Sequence, residues 1–345
     1  PKLSRAVCPV ANVESSETVT PWGKMSLAYF VGRGDLNATK EVAGASWACS
    51  ACYACREHCE HHNEVAAALL DNRAEMFSRG LAPEGATCVS QGYSDREREQ
   101  QKILDSIAPE ANHDATVGLL IGCSYVRHQR STAEAALRLT RRWLGKPVRV
   151  LRRCCGLSLK YAGDRHGFER AARNFASDLG SVDEIVVADP GCAHTLIELY
   201  GELLEGRTVR PLIDVAFAKL DDIPALALKG RVLRYHDPCQ LGRGLGRYEE
   251  PRAVLARLTG EAPLEFQRHR RDAECSGGGG LLSVTRPETA AAMASARLEE
   301  HQDDPDAVLV TGCGESLRRF SKSASGVTDW INLVDESMRQ GGDGG

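Results

Sequence analysis

Thirteen cysteines in 345 residues, and above all their spacing, constrain this chain more than any other feature. Four of them stand together as Cys49-x2-Cys52-x2-Cys55-x3-Cys59. Three thiols at two-residue gaps are the spacing with which a tight loop wraps one [4Fe–4S] cluster, the fourth thiol of such a run serving elsewhere. The other donor set on offer is a zinc site of Cys49, Cys52, Cys55 and one of Cys59, His58, His61 or His62. The opening residues PKLSRAVCPV hold no apolar leader, so a reducing cytoplasmic setting is expected, with thiols acting as metal or redox ligands rather than disulfides.

The fourth cluster ligand has two candidates. Cys59 is followed by Glu60, whereas Cys8 is followed by Pro9, as the last cysteine of such motifs usually is. A complete second motif ending at Cys8 would need cysteines where Ser4 and Pro1 stand, so one cluster of a two-cluster arrangement is expected to be lost. The preferred set is Cys8, Cys49, Cys52 and Cys55; the contiguous run ending in Cys59 is the alternative.

The remaining cysteines repeat. Short apolar strands alternate with helical stretches over Thr116–Ile121, Thr132–Leu144, Val148–Leu151, His166–Leu179, Glu184–Ala188 and Thr195–Leu204. The alternation restarts over Arg231–Tyr235, Arg252–Leu258, Pro263–Phe266, Pro287–Glu300 and Ala307–Val310, with a last helix near Asp329–Met338. This pattern predicts parallel α/β structure in two similar halves. Cys123, Cys154–Cys155 and Cys192 follow strands of the first half; Cys239, Cys275 and Cys313 follow those of the second. Cys123 to Cys155 to Cys192 span 32 and 37 residues, and Cys239 to Cys275 to Cys313 span 36 and 38. Ligands at the carboxyl ends of parallel strands converge on one crevice. Two pseudo-equivalent sites are therefore expected.

Composition narrows the function classes. The net charge of -4 lacks the basic excess of a nucleic-acid binder, and no apolar run is long enough to cross a bilayer. Neither GRGLG at 242–246 nor the glycines at 277–280 have the strand, helix and downstream acid of a dinucleotide site, so close backbone approach to a cluster is the expected reason for them. His236 and Asp237 are expected to hydrogen-bond their local turn rather than handle protons, and the companionless Cys88 to pack as a small buried hydrophobe.

The order of these motifs, with HDPC-x-LGR at 236–243 and C-x-GGGG at 275–280, resembles the cysteine-rich (CCG) domain family of iron–sulfur proteins. Its members include heterodisulfide reductase-like subunits, the glycolate oxidase iron–sulfur subunit and the anaerobic glycerol-3-phosphate dehydrogenase C subunit. Full members end each half in C-x-x-C, and heterodisulfide reductases use five thiolates per half for a noncubane cluster. Here Thr195 stands at the fifth position of the first half, leaving Cys123, Cys154, Cys155 and Cys192 for a cubane or noncubane cluster or a zinc ion. The second half is degenerate: Glu274 and Ser316 replace cysteines, so Cys239, Cys275 and Cys313, with Glu274 or His236 as a further donor, hold a metal or stay empty.

The resemblance implies an α+β ferredoxin-like domain over 1–82, a linker over 83–114, CCG α/β domains over 115–228 and 229–340, and a disordered tail over 341–345. Residues 1–40 are expected to be loop-rich, Asn63–Arg79 helical, and the linker to hold one charged helix near Asp95–Ile107. With no flavin or nicotinamide fingerprint of its own, the chain is expected to carry electrons for chemistry on another chain, and the resemblance implies a relay between a flavoprotein partner and a quinone-linked, membrane-anchored subunit, on the cytoplasmic side. A heterodisulfide or thiol reductase acting at the first CCG site is the alternative.

Overall fold

The computed structural model describes residues 2–110 and 112–340, so the expectation for the tail lies outside the described residues. The N-terminal part is helical. Lys2–Val7 and Pro9–Glu14 form short helices, followed by α1 (Pro21–Arg33), α2 (Val65–Ser78), Glu84–Gln91 as α3 and Tyr93–Ile107 as α4. The loop-rich expectation for 1–40 thus fails, because Pro9 and Pro21 sit at first-turn positions, where a missing N–H costs nothing. Thr20 caps α1, its hydroxyl accepting from Gly23 N at 3.0 Å. Among the described residues before Val117 there is no strand, so the β part of the expected α+β domain is not found. The stretch expected to be a linker is two helices, α3 and α4, rather than one.

Parallel α/β structure follows, as expected. The first sheet joins β1 (Val117–Leu120), β2 (Val148–Val150), β3 (Glu184–Val187) and β4 (Thr208–Pro211) in the order β2-β1-β3-β4, all parallel. The crossovers include α5 (Arg130–Leu144) between β1 and β2 and α6 (Arg165–Ser177) between β2 and β3. Every residue of β1 is buried, which is why it reads VGLL rather than alternating. The second sheet joins β5 (Leu233–Tyr235), β6 (Val308–Thr311) and β7 (Val327–Asp329), again parallel, with Leu264 bridged to Arg234 of β5. That single bridge is all that forms of the strand expected at 263–266. The spatial order Leu264-β5-β6-β7 nevertheless reproduces β2-β1-β3-β4.

One apolar core spans both sheets, uniting Leu119 and Val186 with Leu233 and Val310. Between them α5 packs against α7 (Trp330–Gln340), where Arg138 grips Asp335 with two bonds of 2.9 and 2.8 Å. The two halves therefore stand as one body, with the strand ends of both facing a shared crevice.

Candidate metal centres

Three groups of thiols gather at these strand ends and at the N-terminal loop. In the loop, Ala51 and Tyr53 hold φ of 53° and 61°, a left-handed backbone that L residues adopt at some cost and that turns the chain tightly. Ala51 N points back at the Cys49 sulfur, 3.4 Å away. Cys8, which precedes the Pro9–Glu14 helix, is brought to the same small cavity as Cys49, Cys52 and Cys55. Buried Lys24 joins them, its Nζ 3.6 Å from Cys8 Sγ and 2.7 Å from Ala48 O. Burial, then the neighbouring Cys49, Cys52 and Cys8, push the Cys55 thiol up. Cys59 instead lines an adjoining groove with Trp22, His58 and His61.

Buried Arg73 holds this loop in place. Its guanidinium donates to Ser46 O (3.0 Å), Cys49 O (2.6 Å), Tyr161 O (3.0 Å) and Gly280 O (3.1 Å). The glycine run meets the loop from the other side: a β-carbon at Gly279 or Gly280 would strike the Ser50 or Cys49 carbonyl. At Gly279 and Gly280 close backbone approach is the reason, but what approaches is the cysteine loop rather than the cluster expected there; at Gly242 and Gly244 of the other run the neighbours are the Tyr248 and His194 side chains.

At the first half, Gly122 (φ 102°) turns β1 into the helix that Cys123 begins, and Gly156 (φ 73°) follows Cys154–Cys155 after β2. After β3, Asp189 caps the helix carrying Cys192, accepting from Gly191 N (2.9 Å) and Cys192 N (3.3 Å). All four thiols meet: Cys155 and Cys192 lie 3.4 Å apart, and Cys154 is hydrogen-bonded to both Cys123 and Cys155. Those bonds hold the Cys154 thiol well below its ordinary range, while Cys123 and Cys155 are pushed up. Burial pushes Asp189 up to about 6.

The second half is different. Cys239 and Cys275 hydrogen-bond each other, and Cys275 also meets the Ser50 hydroxyl, which in turn bonds Cys52. Cys313 lies apart from this pair, beside Asp189 and Ser316, and Ser276 bonds Ser316 at 2.8 Å. Neither further donor named from the sequence is free to help. Glu274 pairs with Arg268 at 3.1 Å. His236 accepts from Arg297 at 3.4 Å and sits edge-on to Phe320 at 4.8 Å, while Asp237 takes two 2.8 Å bonds from Arg252. Expected to hydrogen-bond their local turn, both are held instead by arginines distant in sequence, and Asp237 also accepts from Arg270 N at 2.8 Å. Cys88, expected to be buried, is exposed.

A crevice of about 190 Å³ joins the halves, with Cys123, Cys154, Cys155 and Cys192 on one wall and Cys239, Cys275 and Cys313 on the other. Among the described residues no three His, Cys, Asp or Glu side chains form a tight single-ion site. The donor chemistry of both four-thiol groups, soft and anionic when deprotonated, fits an iron–sulfur cluster. Sequence reasoning missed Lys24, Arg73 and Asp189, and gave Arg243 only as the end of the HDPC-x-LGR motif, without a role; of the three missed, only Arg73, which falls on the apolar stripe Ala66, Leu69, Leu70, Met76, carried a periodicity signal.

Comparison with known proteins agrees with this architecture. The family described as Cysteine-rich domain (CCG) matches residues 117–197 and 233–316, starting at the first residue of β1 and of β5. The chain carries this domain twice. It is 26% identical to one of the subunits of the dihydromethanophenazine:CoB–CoM heterodisulfide reductase of Methanosarcina barkeri, over 84% of this chain and 77% of that one. It is also 26% identical to one of the subunits of the fumarate reductase (CoM/CoB) of Methanothermobacter marburgensis, over 85% of this chain and 60% of that one. A third relative, the EtfAB:quinone oxidoreductase of Syntrophomonas wolfei, is 24% identical over 70% of this chain and 37% of its own length.

Proposed function

We propose that this chain is the iron–sulfur electron-transfer subunit of a multi-subunit oxidoreductase. Cys8, Cys49, Cys52 and Cys55 hold a [4Fe–4S] cluster, with Cys59 outside the set, and Cys123, Cys154, Cys155 and Cys192 hold a second iron–sulfur cluster. Such clusters accept and release one electron at a time. The chain's own part is to fix the two thiol sets, keep water from them and space them for transfer. The observation that carries this reading is a contact between the segments that bear the two sets: the ring of Tyr53 in the N-terminal loop lies against His194, two residues beyond Cys192, with centroids 5.4 Å apart and planes tilted by 37°. The second half, with three thiols split between two places, is taken as lacking a cluster. Electrons enter from a flavoprotein partner and leave toward a quinone-linked partner at the cytoplasmic face of a membrane; the relative that is an EtfAB:quinone oxidoreductase supports the quinone end. No helix among the described residues is long and apolar enough to cross a membrane.

The test is iron, zinc and acid-labile sulfide per chain on anaerobically purified protein, with low-temperature EPR after reduction. About eight irons and eight sulfides, the content of two four-iron clusters, is the expected result. About four irons with one zinc overturns the relay by leaving a single redox centre. A second reading, reduction of a disulfide at the first CCG site, is favoured by the crevice that opens on that wall. Disulfide turnover by the isolated chain with an artificial donor would establish it, and no turnover would exclude it.

A further inference from the structure

Arg243 lies where the N-terminal loop meets the second half, and only 4% of it is exposed. Three backbone carbonyls fix the guanidinium: Nε donates to Cys52 O (2.5 Å), and Nη1 to Arg271 O (3.0 Å) and Ala273 O (2.6 Å). Its remaining nitrogen, Nη2, is buried without a partner. A buried guanidinium with an unused donor is costly unless negative charge lies near it. The carbonyls it holds belong to Cys52 and to Ala273, two residues before Cys275, and the Cys52, Cys275 and Cys239 side chains pack together in one cluster beside it.

We propose that Arg243 is the charge-setting residue of the N-terminal iron–sulfur cluster. Adding an electron makes a thiolate-bound cluster more negative, and a fixed positive charge beside one of its ligands favours that form. The second half thus acts on the N-terminal cluster without ligating anything, by supplying the cation that binds the Cys52 carbonyl. Arg243 is a positioning residue in this account, since it touches a ligand's backbone and no substrate. The inference rests on the cluster assignment made above for Cys8, Cys49, Cys52 and Cys55.

The experiment is an EPR-monitored redox titration of the full chain, read on the signal that Cys55→Ser removes. Arg243→Gln is expected to weaken reduction of that cluster at least tenfold, or 59 mV for one electron. Arg243→Lys, which keeps the charge and loses the fork of hydrogen bonds, is expected to stay within threefold of wild type. Equal shifts in both variants, or none in either, overturn the proposal. Should Arg243→Gln fail to fold, Arg243→Met, which fills similar space without charge, takes its place: the same fall of at least tenfold is expected, and an unchanged potential overturns the proposal. Absence of iron and sulfide from the wild-type chain refutes the cluster assignment itself, an outcome distinct from a cluster whose potential ignores Arg243.

Discussion

The two CCG halves share a strand order and differ in what hangs from it. Where the first half has Cys154–Cys155–Gly156 and ends in Cys192 and Thr195, the second has Glu274–Cys275–Ser276 and ends in Cys313 and Ser316. In the first half four thiols touch in sequence. In the second, a Ser276–Ser316 hydrogen bond closes the space that further thiols would occupy, and the Glu274 carboxylate has found an arginine. The comparison teaches that the scaffold does not depend on the ligands. Parallel pairing and a common apolar core fix the strand ends, and whether donors stand on them is a separate matter.

The sharpest way to break that contrast is to remove one thiol from each half. Cys155→Ser is expected to lose about half of the chain's iron, four of about eight atoms, while Cys275→Ser retains it all. Equal losses would show that the second half holds iron too. At the N-terminal loop the same logic separates two neighbours: Cys8→Ala is expected to abolish one reduced-cluster EPR signal, and Cys59→Ala to leave the spectrum intact. Gly280→Ala probes the seam between the loop and the second half. Its φ of 63° and the Cys49 carbonyl in its path predict a loss of about 2–4 kcal/mol, visible as a lowered Tm.

The smallest expected effect concerns the core between the halves. Burial raises Asp329 from 3.8 to about 7, with Tyr125 donating to it at 2.7 Å. A proton held by the native state and not by the unfolded chain stabilises at low pH, and that contribution fades as pH rises from about 4 through 7. Thermal melts of the wild type are therefore expected to fall across this window. Asp329→Asn, which cannot ionise, is expected to flatten the upper part of the fall by a few degrees; an unchanged slope would place the titration elsewhere.

Much of the two halves was legible because burial and strand alternation write themselves into composition: the helices over 130–144, 165–177 and 330–340 fall within a few residues of expectation. The strands β4 and β7 were not legible, since TVRP and VTD are short edge segments without an apolar run. The N-terminal helices were hidden by Pro9 and Pro21, which punctuate loops as often as they start helices. Cysteine spacing brought out the candidate ligands, yet not the cations beside them. Lys24 and Arg243 look like surface residues until distant backbone carbonyls, Ala48 O for one and Cys52, Arg271 and Ala273 O for the other, are seen to enclose them.

The Arg73–Gly280 bond ties residues 207 positions apart. On a ribosome adding roughly 5–20 residues per second, the far partner emerges some 10–40 s after the near one. During that interval the loop bearing Cys49 and Cys52 has neither its clamp complete nor its glycine lid, and its thiols stand open to oxidants. On the cluster assignment proposed above, delivery to this loop is expected to be a late step of biogenesis, and a nascent chain halted before Cys275 is expected to carry no N-terminal cluster signal.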